Sequence, residues 1–210
     1  MSVTRHYVLK TVSNRRGAVQ ESARILSEGG LVVVPTDTVY GIAAHAFRRE
    51  AIERIYRLKD RHHRKPIPFL VQHPDQIRCL VHDIPVRLSP LLKKYWPGPL
   101  TVVFRASAMG QWITGGKETI AVRIPKHSVV TDLIRRIGVP LACTSANMSG
   151  RVAHIDVPSL RREFDGKVDA VLDDGPCAIG CESSVLDVSH YPWTLLREGA
   201  LTKKVLNRYA

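Results

Sequence analysis

The sequence has no long apolar segment, and this absence excludes several classes of protein. No run of eighteen or more apolar residues occurs, so no membrane span is predicted. The first ten residues, MSVTRHYVLK, lack the continuous apolar core of a secretory signal. These absences predict a cytoplasmic protein.

Cysteine is also scarce, with four residues at positions 79, 143, 177 and 181. Only Cys177 and Cys181 are close together, and no second Cys/His pair has the spacing that a structural zinc site needs. We therefore expect four reduced thiols and no dedicated protein metal site.

Acidic residues are few relative to basic ones, 19 against 31, which gives a formal net charge of +12. Such an excess favours anionic partners such as phosphates, nucleotides or RNA, although a basic surface can also serve solubility alone. The charge is locally concentrated, because RLKDRHHRK (57–65) holds five cations and two histidines around one aspartate. This concentration favours an anion-binding site.

Neither a repeat nor a linker interrupts the 210 residues, and we expect one domain over residues 1–210. Apolar spacing predicts a mixed α/β sheet with helices packed on it. The short gaps between the last three predicted strands indicate some antiparallel pairing. The predicted helices are GAVQESARILSEGG, REAIERIYRL, VRLSPLLKKYW (broken near Pro90) and SVVTDLIRRIG (N-cap Ser128, stop Gly138). The predicted strands are LVVVP (buried on both faces), PIPFLV, LTVVFRA, TIAVRIP, PLACTS, VDAVLDD, SSVLDVS and WTLLRE.

No standard nucleotide-binding loop is present. TGGKET (114–119) is similar to a P-loop, but Gln111 replaces the first glycine and Glu118 replaces the Ser/Thr after the lysine. No G-x-G-x-x-G occurs either. A nucleotide would have to bind by another route.

Polar clusters instead follow or open predicted strands, follow the second predicted helix or, for Arg123, lie inside an apolar strand. Ligands of open α/β sheets gather where strands end. Each cluster also has a purely structural interpretation: TSANMSG suits a turn or a cap, Arg123 a solvent-facing strand position, and Lys59 with Arg61 a solvated helix end. The clusters are Thr36-Asp37-Thr38, Lys59-Asp60-Arg61, Arg123, Thr144-Ser145-Ala146-Asn147 and Ser183-Ser184.

Seven segments occur in an order that resembles the YrdC-like threonylcarbamoyl-AMP synthases, from about Gly30 to Ala200. They are PTDTVYG, LKDRHHRKPIPFLV, WPGPLTVVF, IAVRIPKH, TSANMSG, DDGPCAIGCESSVLDVS and LREGA. The resemblance implies a YrdC-like twisted mixed parallel/antiparallel sheet, flanked by helices, around a basic cavity.

The implied reaction joins L-threonine, bicarbonate and ATP into threonylcarbamoyl-AMP and pyrophosphate. A threonylcarbamoyl transferase complex would then modify an adenosine next to the anticodon of tRNA, and weak binding of tRNA itself is left open. Mg²⁺ is expected to accompany ATP. The substrate supplies the nucleophile, so no side chain has to act as one.

The resemblance also assigns site residues. Lys59, Arg61, Ser145 and Asn147 would form the catalytic and triphosphate-binding set. His63, Thr119 and Arg197 would contribute to ATP binding, although His63 also suits a surface position. Thr36, Arg123 and Ser183 would bind threonine, with Arg123 on its carboxylate. Asp37 is either a general base or a residue that holds its loop.

Two departures from the family pattern are visible: His62-His63 replaces a proline and a small or acidic residue, and Ser184 replaces a threonine. Longer relatives add a C-terminal domain over the site, and we expect this chain to work without it. The alternatives are a paralogue without synthase activity and a module that binds double-stranded RNA or tRNA. Trp96, Trp112 and Trp193 argue against the RNA module, because their apolar or proline-rich contexts predict core positions.

Overall fold

A computed structural model describes residues 3–209 and contains one ten-stranded sheet with helices packed against it. The strands are β1 (Arg5–Val8), β2 (Val32–Val34), β3 (Gly41–His45), β4 (Phe69–Leu70), β5 (Leu100–Arg105), β6 (Thr119–Arg123), β7 (Leu141–Ser145), β8 (Ala170–Asp173), β9 (Ser184–Asp187) and β10 (Thr194–Arg197). The α-helices are α1 (Val12–Ser27), α2 (Arg49–Leu58), α3 (Asp75–Arg78), α4 (Ser89–Tyr95), α5 (Ala108–Thr114), α6 (Ser128–Ile137), α7 (Val157–Phe164) and α8 (Lys203–Leu206).

The sheet mixes parallel and antiparallel pairs, as the sequence predicted. Its order is β1-β8-β2-β3-β7-β4-β6-β5-β9-β10. Strands β9 and β10 pair antiparallel, which confirms the expectation from their short connection. Strand β8, by contrast, lies between β1 and β2 and is parallel to both, far from its sequence neighbour β9.

Both faces of the sheet are covered, and β2 shows why its sequence is continuously apolar. Val33 belongs to the larger core cluster, whereas Val32 and Val34 belong to a second cluster that includes residues of α1 and α6. All three valines are fully buried. Because side chains alternate between faces, only a strand covered on both sides needs apolar residues at every position.

Several local predictions need correction. Helix α6 begins at Ser128, but His127 occupies the N-cap and makes no side-chain capping bond, while Gly138 ends the helix as expected. The break predicted near Pro90 lies just before it, where a 3₁₀ turn at Val86–Leu88 meets α4. Proline fits there because the first turn of a helix needs no donor at that position.

Two other features differ from the sequence-based expectation. Trp112 is 63% exposed, so the prediction that all three tryptophans lie in the core is wrong for this residue, whereas Trp96 is buried. Strand β3 was not predicted, because it follows PTDTVYG without a spacing signal of its own. None of the helices within residues 3–209 has the length and apolar character that a bilayer span requires.

Candidate active site

A cavity of about 740 Å³ lies over one face of the sheet and collects polar residues from distant segments. Val103 and Cys143, which lie in the middle of β5 and β7, line it together with residues at strand ends and in loops. The expectation of a site at strand ends is therefore incomplete, because the face of the sheet contributes as well.

Positive charge dominates the wall of this cavity. Among the described residues that line it, seven are cationic and a single one, Glu182, is acidic. Such a lining stabilises a polyanion such as a triphosphate. The cations are Lys59, Arg61, Arg64, Lys65, Arg123, Arg151 and Arg197.

Lys59 is the most deeply placed of these cations. It follows α2 directly as its C-cap and is only 1% exposed. Its Nζ donates to Asn147 Oδ1 at 3.0 Å and to the backbone oxygen of Ser145. Burial, followed by the nearby Arg61, lowers the pKa of Lys59 to about 8. An ammonium in this state gains strongly from an anionic ligand, because burial has removed most of its water.

Ser145 and Asn147 orient this lysine. Ser145 Oγ donates to Asn147 Oδ1 at 2.7 Å, and Asn147 Nδ2 donates to the backbone oxygen of Arg151. The amide oxygen of Asn147 thus receives protons from both Lys59 and Ser145. A lysine held by two fixed acceptors cannot swing away from the cavity, which is the preorganisation that transition-state stabilisation needs.

The loop that follows Lys59, residues 60–66, brings three more cations to the cavity wall, and we call it the cation loop. Arg61 stabilises this loop by donating from Nε to Lys65 O and from Nη2 to Pro66 O, each at 2.9 Å. Burial lowers the pKa of Arg61. Arg64 and Lys65 line the cavity beside it.

His63 stabilises the same loop through two contacts made outside the cavity. Its ring stacks on Tyr56 with 4.3 Å between centroids, and its backbone oxygen accepts from Lys117 Nζ at 2.9 Å. Lys117 belongs to the TGGKET segment, which therefore meets the cation loop instead of forming a P-loop. His63 itself is not among the residues that line the cavity.

Arg123 also lines the cavity and is bound to the loop after β2. Its Nη2 lies 2.6 Å from Asp37 Oδ1, Nη1 donates to Thr38 Oγ1 at 2.8 Å, and Nε donates to Gly98 O at 3.0 Å. Asp37 Oδ1 also accepts from the backbone nitrogen of Lys126. Asp37 is not among the cavity-lining residues, so the geometry favours its loop-holding role over that of a general base.

Thr36 folds this loop with its own hydroxyl. Oγ1 donates to Val39 O at 2.6 Å and accepts from the backbone nitrogens of Thr38 and Val39. A hydroxyl has one proton, and here that proton is committed within the loop. The Thr36 hydroxyl of PTDTVYG therefore stabilises the conformation of the loop, and Thr36 lines the cavity as part of a rigid turn.

Ser183 and Arg197 close a third side. Arg197 Nε donates to Ser183 O at 3.0 Å, and its Nη1 lies 3.0 Å from Glu182 Oε2. Ser183 Oγ is 2.8 Å from Thr101 Oγ1. The one carboxylate among the described lining residues is thus already paired with an arginine.

The structure brings together eight of the ten predicted site residues and leaves two outside. Thr119 opens β6, on the same face as Arg123 but about 13 Å along the strand, and it does not line the cavity. His63 lies behind the cation loop, as described above. The eight residues are Thr36, Lys59, Arg61, Arg123, Ser145, Asn147, Ser183 and Arg197.

Some lining residues were not predicted as site residues. Arg64 and Lys65 belong to the basic cluster that the sequence already shows, so their density was a usable signal. Arg151 carries no comparable signal, because it enters the cavity only through the course of the loop after β7. Cys143 also lines the cavity, and burial raises the pKa of its thiol to about 12, so it is an unreactive wall residue.

Comparisons with known proteins show the family of this chain. A family model for Sua5/YciO/YrdC, described as "Telomere recombination", matches residues 24–199. The threonylcarbamoyl-AMP synthase of Pyrococcus abyssi is 37% identical over 184 residues, covering 87% of this chain and 54% of the relative. That of Bacillus subtilis is 34% identical over 199 residues, covering 94% and 58%.

A solved structure of P. abyssi Sua5 complexed with L-threonine superimposes with a TM-score of 0.90 at 33% identity. The match covers 99% of this chain and 61% of that one. The chain thus spans a little over half the length of these relatives. Over the matched part, the fold of this chain corresponds to that of one known family. This chain belongs to the Sua5/YciO/YrdC family.

Proposed function

We propose that this chain is an L-threonylcarbamoyladenylate synthase, which converts L-threonine, bicarbonate and ATP into threonylcarbamoyl-AMP and pyrophosphate. The observation that carries the proposal is the convergence of seven cations on one cavity large enough for a nucleotide and an amino acid. The names of the relatives and the L-threonine bound to P. abyssi Sua5 support the choice of substrates.

The chemistry explains why the cavity is basic. The amine of threonine attacks the carbon of bicarbonate, water leaves, and a carbamate forms. A carbamate oxygen then attacks the α-phosphorus of ATP, and pyrophosphate leaves. Because both reactants are anions, their approach is opposed by repulsion, and cations that neutralise the phosphates lower this barrier.

On the phosphate side, we assign the triphosphate to Lys59, Arg61 and Arg197. Lys59 supplies a compact charge with one N–H left after its two protein contacts. Hydrogen bonds to charged groups contribute roughly 1.5–3 kcal/mol each, so a few of them change the rate by orders of magnitude. Ser145 and Asn147 act by keeping Lys59 in place.

On the amino-acid side, we assign threonine to Arg123, Ser183 and the Thr36 turn. Arg123 has five N–H groups and uses three on Gly98, Thr38 and Asp37. The two that remain, one on each terminal nitrogen, are available for a substrate carboxylate. The ion pair with Asp37 therefore leaves the guanidinium oriented and still able to bind.

Mg²⁺ would enter with ATP. Among residues 3–209, no group of three or more His, Cys, Asp or Glu side chains is placed to hold a metal ion. Glu182 is the one described carboxylate in the cavity wall and is paired with Arg197. The residues of the cavity wall therefore fit a Mg²⁺ ion that is coordinated by the ATP phosphates and would neutralise part of the phosphate charge. Transfer to tRNA would require a separate threonylcarbamoyl transferase complex.

A pyrophosphate-release assay tests the proposal. We expect release that requires threonine, bicarbonate and ATP together, with threonylcarbamoyl-AMP detected by mass. Lys59→Ala should abolish release, whereas Arg136→Ala, which removes an exposed arginine of α6 outside the cavity, should not. Release independent of threonine would overturn the proposal. Salt-sensitive binding of duplex RNA without adenylate formation would favour an RNA-binding module.

A further inference from the structure

A second cleft, of about 280 Å³, lies beside the turn that joins β9 to β10. We call it the aromatic cleft and define it by Arg87, Arg105, Tyr191 and Trp193, which line it. Asp83 and His190 also contribute to its wall. None of these residues lines the larger cavity.

The centre of the aromatic cleft is a stack of one cation on two rings. The guanidinium carbon of Arg87 lies 4.4 Å from the ring centroid of Tyr191 and 5.9 Å from that of Trp193. Trp193 is half-buried against the core and forms a fixed floor. Tyr191 is 67% exposed, so the guanidinium covers only part of it.

Tyr191 is an exposed ring whose orientation is restricted by its neighbours. Large aromatic side chains stabilise a fold mainly when they are buried. Tyr191 gives little of that benefit, yet Arg87 and the Trp193 floor restrict its orientation. A flat, oriented and accessible π-surface next to a guanidinium plane is the arrangement on which nucleobases stack.

The charges around the rings match a phosphate backbone. Arg87 and Arg105 are both exposed and line the cleft, whereas Asp83 is the one acidic side chain among its described lining residues, with its Oδ1 3.3 Å from His82 Nδ1. The chain as a whole carries a formal net charge of +12, which steers polyanions toward its surface.

The aromatic cleft and the candidate active site lie close together but share no lining residue. On β9, Val185 lines the large cavity, and Val188, just after the strand, lines the cleft. On β5, Val103 lines the cavity and Arg105, about 7 Å further along the strand, lines the cleft. The residues proposed to bind a single strand are therefore distinct from those that line the cavity.

We propose that the aromatic cleft binds single-stranded nucleic acid, with bases stacked on Tyr191 and phosphates paired with Arg87 and Arg105. The proposal does not depend on the synthase activity, because it uses none of the cavity residues. Loss of either function leaves the other measurable.

Fluorescence anisotropy with labelled ten-nucleotide RNA and DNA single strands tests this proposal. Tyr191→Ala should weaken binding about 5- to 150-fold, which is the effect of losing one base stack, without changing the salt dependence. Tyr191→Phe should restore binding. Arg105→Ala should reduce the slope of log affinity against log salt by about 0.7, the value for one phosphate of a single strand.

Two matched control variants show whether a loss of binding is specific to the aromatic cleft. Trp112→Ala removes another exposed aromatic ring and Arg136→Ala another exposed arginine, both outside the cleft, and both variants should bind as the unaltered chain does. Pyrophosphate release should be unaffected by Tyr191→Ala. The proposal is overturned if neither single strand binds, if Tyr191→Ala binds equally well, or if excess ATP displaces the strand, which would locate binding in the large cavity. Binding of duplex alone would overturn it as well.

Discussion

Arg123 and Asp37 form a buried ion pair in the wall of the cavity, with 2.6 Å between Nη2 and Oδ1 and both side chains less than 10% exposed. The pair joins β6 to the loop after β2 and fixes the direction of the guanidinium. Burial lowers the pKa of Arg123, and Asp37 opposes that shift. The structure of the threonine half of the proposed site therefore depends on a residue that does not line it.

Asp37→Ala should destabilise the protein strongly. It leaves a buried guanidinium without its counter-ion, which costs about 3–5 kcal/mol of unfolding free energy. Urea-induced unfolding measures the loss. Asp132→Ala is the matched control, because its pairs with Arg15 and Arg135 lie at the surface and should contribute at most about 1 kcal/mol. Equal effects of the two substitutions would show that the Asp37 pair is not structural.

Arg123→Ala should raise the KM for threonine more than the KM for ATP, because the two free N–H groups are assigned to the threonine carboxylate. Steady-state pyrophosphate release at varied threonine and varied ATP separates the two effects. Arg123→Lys should not restore threonine binding, since an ammonium cannot replace a planar fork. A larger change in the ATP requirement would contradict the assignment.

The lowered pKa of Lys59 predicts a pH dependence of ATP use. As pH rises through about 8, Lys59 in the free protein loses its proton, and its attraction for phosphate is lost. The kcat/KM for ATP should therefore fall above about pH 8. Flat kcat/KM values from pH 7 to 9.5 would argue against a phosphate role for Lys59.

Titration of Lys59 also changes the free energy of unfolding, which should rise with pH while the use of ATP falls. In the unfolded chain the lysine keeps its proton up to its ordinary pKa of 10.5, so between about pH 8 and 10.5 the unfolded state binds more protons. Stability then rises with pH. The difference in unfolding free energy between the unaltered protein and Lys59→Met should change by about 3 kcal/mol across this window. A constant difference would mean that Lys59 titrates normally.

His63 offers a test between ATP contact and loop positioning. If its ring acts by stacking on Tyr56, His63→Phe should retain the KM for ATP. His63→Ala should raise this KM about 3- to 10-fold, the range expected for the loss of one aromatic pair, as the cation loop loosens. Lys117→Ala should have a similar effect, because it removes the bond to the His63 backbone oxygen. A large loss in His63→Phe would instead support direct ATP binding, as the family resemblance implies.

Much of the architecture was predictable from local pattern. The apolar run of β2, the amphipathic spacing of α2 and the Gly138 stop of α6 each reflect a physical requirement that acts within a few residues. Strand β8 was predicted as a strand but not at its place between β1 and β2, because strand order depends on contacts between distant segments. The core position predicted for Trp112 was wrong for a related reason. Its local sequence context is apolar, but the orientation of α5 places its side chain at the surface.

Residue types, the order of the segments and the family resemblance can be obtained from the chain alone, because they depend on identity and spacing. Which charges meet depends instead on the folded arrangement. It placed Lys59, Arg123 and Arg197 around one cavity, moved His63 behind the wall, and committed the Thr36 hydroxyl to its own turn. Each of these outcomes depends on how the twisted sheet brings together residues that are far apart in sequence. Each also depends on which hydrogen-bond acceptor lies within about 3 Å of each donor. Local sequence patterns specify neither.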